Sequence, residues 1–314
     1  MKRLQIIIPE RMEGERLDIA LAEMLPELSR SKITASIKSG KALISEKSFK
    51  PKDKAIGNEI IDLTINQNQN SAWMAENIPI DVIFEDEDII IINKKFGIVT
   101  HPGAGNWSGT LANALLNYDP DLESLDRAGI VHRLDKNTSG LMVVAKNHKS
   151  QKNLVEQLQN HYVSREYSAV VYGHMISGGT INQPLGRDPR DRVKQAVLRN
   201  GRESTTHYRV IDRFKSHTHV KAILETGRTH QIRVHLSHIG HSLVGDFVYG
   251  GKIRYPKKAS ENLKNELYQF RRQALHSKKI TLSHPRSGDL LSWKVPLPED
   301  MLKLLSVLAE FDSL

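Results

Sequence analysis

Residues 131–146 read V-H-R-L-D-K-N-T-S-G-L-M-V-V-A-K, two apolar pieces around the polar run Asp135-Lys136-Asn137-Thr138-Ser139-Gly140. Asp, Asn, Ser and Gly in succession are turn formers, each for its own backbone reason. The flanks predict β-rich pieces at Gly129–His132 and Leu141–Lys146. A carboxylate at the head of a turn held by strands is well placed to point into a cleft. The same side chain can instead bond the turn's own backbone, as Asx residues do, and residue order alone leaves both roles open.

Outward from this stretch, strands and helices alternate without a regular βαβ rhythm. Asp88–Asn93 is an apolar strand, and Thr110 is placed to cap a helix over Leu111–Asn117. Ser150–Gln159 predicts a helix with Leu154, Val155 and Leu158 inward. Glu166–Tyr172, Thr206–Asp212, His219–Glu225 and Lys279–Ser283 read as strands, Gln231–His238 as strand or helix, and Leu297–Phe311 as a terminal helix. Toward the start, Leu4–Ile8 predicts a strand and Glu15–Leu25 a helix. Ser29-Arg30-Ser31-Lys32 opens a second helix on a serine cap, Gly40 follows it, and Lys41–Ser45 and Glu59–Ile65 are strands. The polar, uncharged Asn66-Gln67-Asn68-Gln69-Asn70-Ser71 has no periodicity and reads as a linker. The expected organisation is a small α+β domain at 1–66, a linker at 67–77 and a large domain at 78–314. The expected fold class is α+β, with a mixed, largely antiparallel sheet in the large domain.

The 314 residues include no cysteine, which excludes a disulfide framework, a thiolate nucleophile and a cysteine-based zinc site. The apolar start Ile6-Ile7-Ile8 meets Pro9, too short for a signal peptide, and no stretch reaches the ~20 apolar residues of a membrane helix. These features point to a soluble cytoplasmic protein. Its net charge is +9, and the charge is polarised. Eight Lys/Arg against two acids fall in 30–54, six against two in 186–202, and nine against two in 252–279, leaving the remainder at −8. One such segment is an ordinary solvated loop. Three on an acidic body point to a polyanion, and nucleic acid fits better than a membrane because none carries a long apolar face.

His132–Gly140 resembles the H-R-L-D-x-x-T-S-G signature of the RluA/RluD family of pseudouridine synthases. Further blocks occur in the family's order: His101-Pro102-Gly103, Arg165-Glu166-Tyr167, Glu225 through His235, Gly245-Asp246, Arg272 through His276, and His284-Pro285. Together they span about 78–296. Asn137 stands where many members carry an acid. The stretches at 101–106 and 173–180 are most similar to the RluD type, which acts on large-subunit ribosomal RNA. The resemblance implies a cofactor-free, metal-free isomerase that turns uridine into pseudouridine. It implies Asp135 as nucleophile or base, Arg228 as its ion-pair partner and Tyr167 stacking on the base. The base must leave the RNA stack to be reached. Arg133, Arg187, Arg192 and Arg271 are expected on the RNA. Residues 1–66 resemble an S4 RNA-binding domain through Arg16-Leu17-Asp18 and Ser29-Arg30-Ser31-Lys32, with Arg30, Lys32 and Lys38 facing RNA. The expected partner is large-subunit ribosomal RNA, free or in an assembling subunit, met by a monomer.

His230, His235, His238 and His241 invite a metal reading, but with one nearby acid, Asp246, structural histidines are the better assignment. Gly103–Gly109 lacks the G-K-[ST] of a nucleotide phosphate loop. A non-catalytic RNA-binding assembly factor, a metal-dependent RNA hydrolase and a synthase acting on other ribosomal or transfer RNA sites are the competing readings.

Overall fold

The computed structural model describes residues 2–25, 28, 30–65, 73–103, 105–191 and 193–313. The chain divides into two compact units, Met1–Met74 and Ala75–Leu314. The linker stretch Asn66–Ser71, the Ser29 cap and Arg192 lie outside the described residues.

In the first unit, strands β1 (Lys2–Ile7), β2 (Ala42–Ile44), β3 (Lys47–Ser48) and β4 (Ile60–Ile65) form an antiparallel sheet in the order β1-β4-β2-β3. Helices α1 (Leu17–Met24) and α2 (Arg30–Lys38) share its core, in which Leu21, Ile33, Ile37, Ile61 and Leu63 are buried. Asp18 is only 3% exposed, yet it sits at the junction of the helices. Arg16 and Arg30 resolve that burial, donating to its two carboxylate oxygens at 3.0 and 2.8 Å.

The second unit is one nine-stranded sheet, so the expected α+β class and mixed, largely antiparallel sheet hold. Its strands are β5 (Val82–Glu85), β6 (Ile89–Lys94), β7 (Ser139–Ala145), β8 (Ser164–Tyr172), β9 (Gly179–Asn182), β12 (Thr205–Arg213), β13 (His217–Leu224), β14 (Leu275–Ser283) and β15 (Leu290–Lys294). The order is β5-β6-β7-β14-β8-β13-β12-β9, with β15 on β14. A separate hairpin joins β10 (Leu185–Arg187) to β11 (Gln195–Val197). Among the described strands the single parallel pairing is β7 with β14, through His276–Ser139 and Ser277–Gly140. Ile89 to Ile92 are all at most 1% exposed, so β6 is covered on both faces and reads as an unbroken apolar run.

Five helices complete this unit: α3 (Leu111–Tyr118), α4 (His148–Gln159), α5 (Gln231–His238), α6 (Glu261–Gln269) and α7 (Glu299–Ser313). Thr110 caps α3 through a reciprocal box with Asn113. Helices α6 and α7 close a second apolar core with Val170, Tyr172 and Phe214.

Two local expectations are corrected. Residues 126–129 form a 3₁₀ turn with Arg127, Ala128 and Gly129 at φ of 55°, 53° and 75°, and only Ile130 makes a bridge, to Val144. Such backbone cannot continue a strand. On α4 Leu154 is buried and Leu158 packs against the same core, as expected, while Val155 is 36% exposed at a cavity.

Candidate active site

The turn headed by Asp135 closes with Thr138 N–H donating to the Asp135 carbonyl at 3.0 Å. It feeds directly into β7, in the middle of the sheet. Gly140, at φ +112°, makes the junction possible. A Cβ there would lie 2.2 Å from the Ser277 carbonyl oxygen of β14. The turn is pinned from several sides. Thr100 donates its hydroxyl to Leu134 O at 2.7 Å, and Gln273 donates to Thr138 Oγ1 at 3.1 Å. The enclosed Lys94 amine donates to the carbonyls of Lys95, Ile98 and Lys136. Burial pulls that amine down to about 7, against the attraction of Asp135 and with the help of Arg272. Val143 N–H donates to His132 Nε2 at 3.0 Å, and enclosure drives this imidazole down to about 3, so it is neutral.

With the backbone of the turn satisfied by these groups, the Asp135 side chain is free to face a cavity of about 580 Å³. Tyr167 and Arg165 from β8, Leu224 from β13, Leu275 from β14, and Arg228, His230 and Arg233 around the start of α5 share its lining. Val155, Leu158 and His161 form a rim. Asp135 accepts from Arg233 Nη1 at 2.9 Å and has His230 Nε2 at 3.8 Å. Arg233 also grips the buried Asp246 with two hydrogen bonds, at 2.7 and 2.9 Å, and lies over the Tyr249 ring. Burial opposes its charge, but the bonds to Asp246 and Asp135 outweigh burial and raise its pKa.

The expected partnership of Asp135 with Arg228 is therefore corrected: the contact is made by Arg233. Arg228 sits before α5, its amide donates to Gln231 Oε1 and its Nε to Glu203 O at 3.2 Å. Arg233 lies in the first helical turn. Helical side chains lean toward the N-terminus, which aims Arg233 at the Asp135 turn. Reading Gln231–His238 as a helix would have exposed this geometry.

Tyr167 lies on the cavity wall, 5% exposed. Burial raises its hydroxyl above the ordinary tyrosine value and Arg165 opposes the rise, so the phenol keeps its proton. His230 adopts φ +57° at the head of α5, an uncommon state for a residue with a side chain, and its Nδ1 meets Tyr249 Oη at 2.7 Å. His235 bonds Thr206 and Gln183, and His241 bonds Tyr172 O. Among the described residues, Asp86, Asp88 and His284 also draw together. Protein groups already occupy them: Asp86 holds His284, and Asp88 holds Asn147, Ser150 and Arg286.

The expected RNA-facing residues are spread more widely. Arg133 is exposed at the cavity, and Arg187 and Arg271 are exposed elsewhere on the unit. Arg271 stacks over Tyr268 at 4.2 Å. In the first unit Arg30 and Lys38 line a hollow with Asp18 and Thr34. The Lys32 side chain and Arg192 lie outside the described residues. No helix among the described residues is long and apolar enough to cross a membrane.

The sequence profile of the RNA pseudouridylate synthase family matches residues 88–238, the segment from β6 through α5. The chain is 49% identical over 312 residues to the ribosomal large subunit pseudouridine synthase D of Escherichia coli K12, covering 99% of this chain and 96% of that protein. It is 47% identical over 306 residues to the protein of the same name in Xanthomonas campestris, covering 98% and 92%. Among solved structures it resembles human RNA pseudouridylate synthase domain containing 4, with a TM-score of 0.57, 25% identity, and 73% and 93% of the two chains covered. The corresponding human protein domain containing 1 aligns with a TM-score of 0.55 at 23% identity, over 71% and 85%.

Proposed function

Because the chain belongs to the RNA pseudouridylate synthase family, with relatives along nearly its whole length that modify the ribosomal large subunit, we propose that its cavity isomerises selected uridines with Asp135 as nucleophile or base. The protein is a pseudouridine synthase, an isomerase of large-subunit ribosomal RNA. The observation that carries the residue assignment is the Asp135 carboxylate itself. It heads a pinned turn, faces the cavity, and has Arg233 at 2.9 Å to aim it.

The reaction breaks the bond from uracil N1 to ribose C1′ and forms one from C5 to C1′. C5 loses its proton and N1 gains one, so nothing enters or leaves. Asp135 supplies the electron pair or accepts the proton. Tyr167 offers a ring to the base and a protonated phenol for relay. The target must leave its stack, at a few kcal/mol, least in a loop. Arg133 at the cavity mouth and the basic segments holding Arg187 and Arg271 offset that cost through phosphate contacts. The first unit, in its S4-like reading, tethers RNA through Arg30, Lys32 and Lys38.

The test is Asp135→Asn, which preserves shape and removes the charge. Carbodiimide-detectable pseudouridine in large-subunit RNA should vanish while RNA affinity stays within about threefold. Product at the wild-type rate would sink the assignment of Asp135. RNA binding without product in the wild type would favour an assembly factor.

A further inference from the structure

Arg165 is a buried guanidinium of the cavity wall that no step of the isomerisation above uses. It is 6% exposed, lines the cavity, and its Nε has no hydrogen-bond partner. Among the described residues no carboxylate pairs with it. The neighbouring acid, Glu166, points to the other face of β8 and pairs with Lys221 at 3.3 Å. The nearby imidazole of His132 is neutral, so it adds no second positive charge beside the guanidinium. A buried cation without a partner is costly, so an acceptor entering the cavity would meet an unused donor. The space beside it depends on a glycine: a Cβ on Gly227 would lie 2.5 Å from Arg165 Nη1.

We propose that Arg165 receives a carbonyl oxygen of the flipped uracil and holds the negative charge that the ring gains during the isomerisation. This inference rests on the synthase reading above. Arg165 and Tyr167 are two apart on β8 and face the same side, so a base against the tyrosine ring presents its edge to the guanidinium. The depth of Arg165 favours a base over a phosphate. A planar base edge reaches a group that is 6% exposed, whereas a phosphodiester arrives flanked by two riboses. Ring charge appears by either route. If N1–C1′ breaks, the bonding pair stays on the uracil and is shared by N1, O2 and O4. If Asp135 adds to C6, the charge moves to C5 and O4. A preoriented donor in a dry site acts most strongly on charge that develops in the transition state.

The experiment uses the full chain and short RNAs whose target uridine the wild type converts. Arg165→Met should lower single-turnover rate about 100-fold or more, as loss of one oxyanion donor does, with RNA affinity within about threefold. Arg165→Lys should recover part of the rate. With 2-thiouridine or 4-thiouridine at the target, the wild type should slow about tenfold on one of them, because sulfur accepts poorly, and Arg165→Met should be indifferent to that change. Arg165→Met and wild type slowed equally by both thio-substitutions would overturn the inference. So would a methylphosphonate at the target's 5′ phosphate that erased the difference between the two proteins, since it would place a phosphate on Arg165. If thermal unfolding shows Arg165→Met misfolded, Arg165→Lys carries the same thio comparison. No product from the wild type on any RNA would instead remove the synthase reading, and this inference with it.

Discussion

Arg233 is a single cation placed between two carboxylates, the buried Asp246 and the cavity-facing Asp135. Asp246 takes two of its hydrogen bonds, so the arginine orients Asp135 without neutralising it outright. That balance suits a group that must still react. Replacing Arg233 by Gln should abolish turnover. It should also destabilise the fold by about 3–5 kcal/mol, because Asp246 is left buried and unpaired. Arg233→Lys can reach one carboxylate well, and should retain more stability than activity. Thermal unfolding beside single-turnover rates checks both. If Arg228→Lys cost more activity than Arg233→Lys, the pairing would be assigned wrongly. At this scale Asp135 and Tyr167 could be named as candidates because each stands in a contiguous motif, and both line the cavity. Arg233 was hidden because its direction depends on whether residues 231–238 coil or extend. Arg165 was hidden because an unpaired charge becomes visible only once its surroundings are known.

The elements that were legible carry strong local chemistry. The Ile89–Ile92 run is an interior strand, and Thr110 starts α3 as serine and threonine caps do. The short strands β9, β10 and β11 escaped, since three or four half-polar residues offer no period to read. Helix α6 escaped because the charge of residues 252–279 masks an apolar stripe through Leu263 and Leu267. Register matters most where β7 meets β14. Gly140→Ala should destabilise the protein by about 3 kcal/mol, combining a left-handed backbone with overpacking against Ser277. It should also lower activity by shifting the turn that carries Asp135. An unfolding midpoint unchanged from wild type would show that the pairing tolerates a methyl group and that the turn is held mainly by Lys94 and Thr100.

Across the whole molecule, the polar, aperiodic stretch at 66–71 falls close to the division between Met74 and Ala75, and the charge map names three basic segments as candidates for RNA contact. Nothing in composition reveals strand order, which depends on which apolar faces find each other. Deleting residues 1–74 should raise the Kd for RNA about tenfold at low salt and flatten its salt dependence, as lost phosphate contacts do. Turnover on saturating RNA should stay within about threefold. Filter binding across a salt series reads this, and unchanged affinity would remove the tether. Part of the cavity lining, by contrast, rests on one hydrogen-bonded ladder: β14, β8 and β13 are consecutive neighbours and supply Leu275, Arg165, Tyr167 and Leu224. On the proposed function, a uridine in a loop that opens readily should be converted faster than the same uridine in a stable stem.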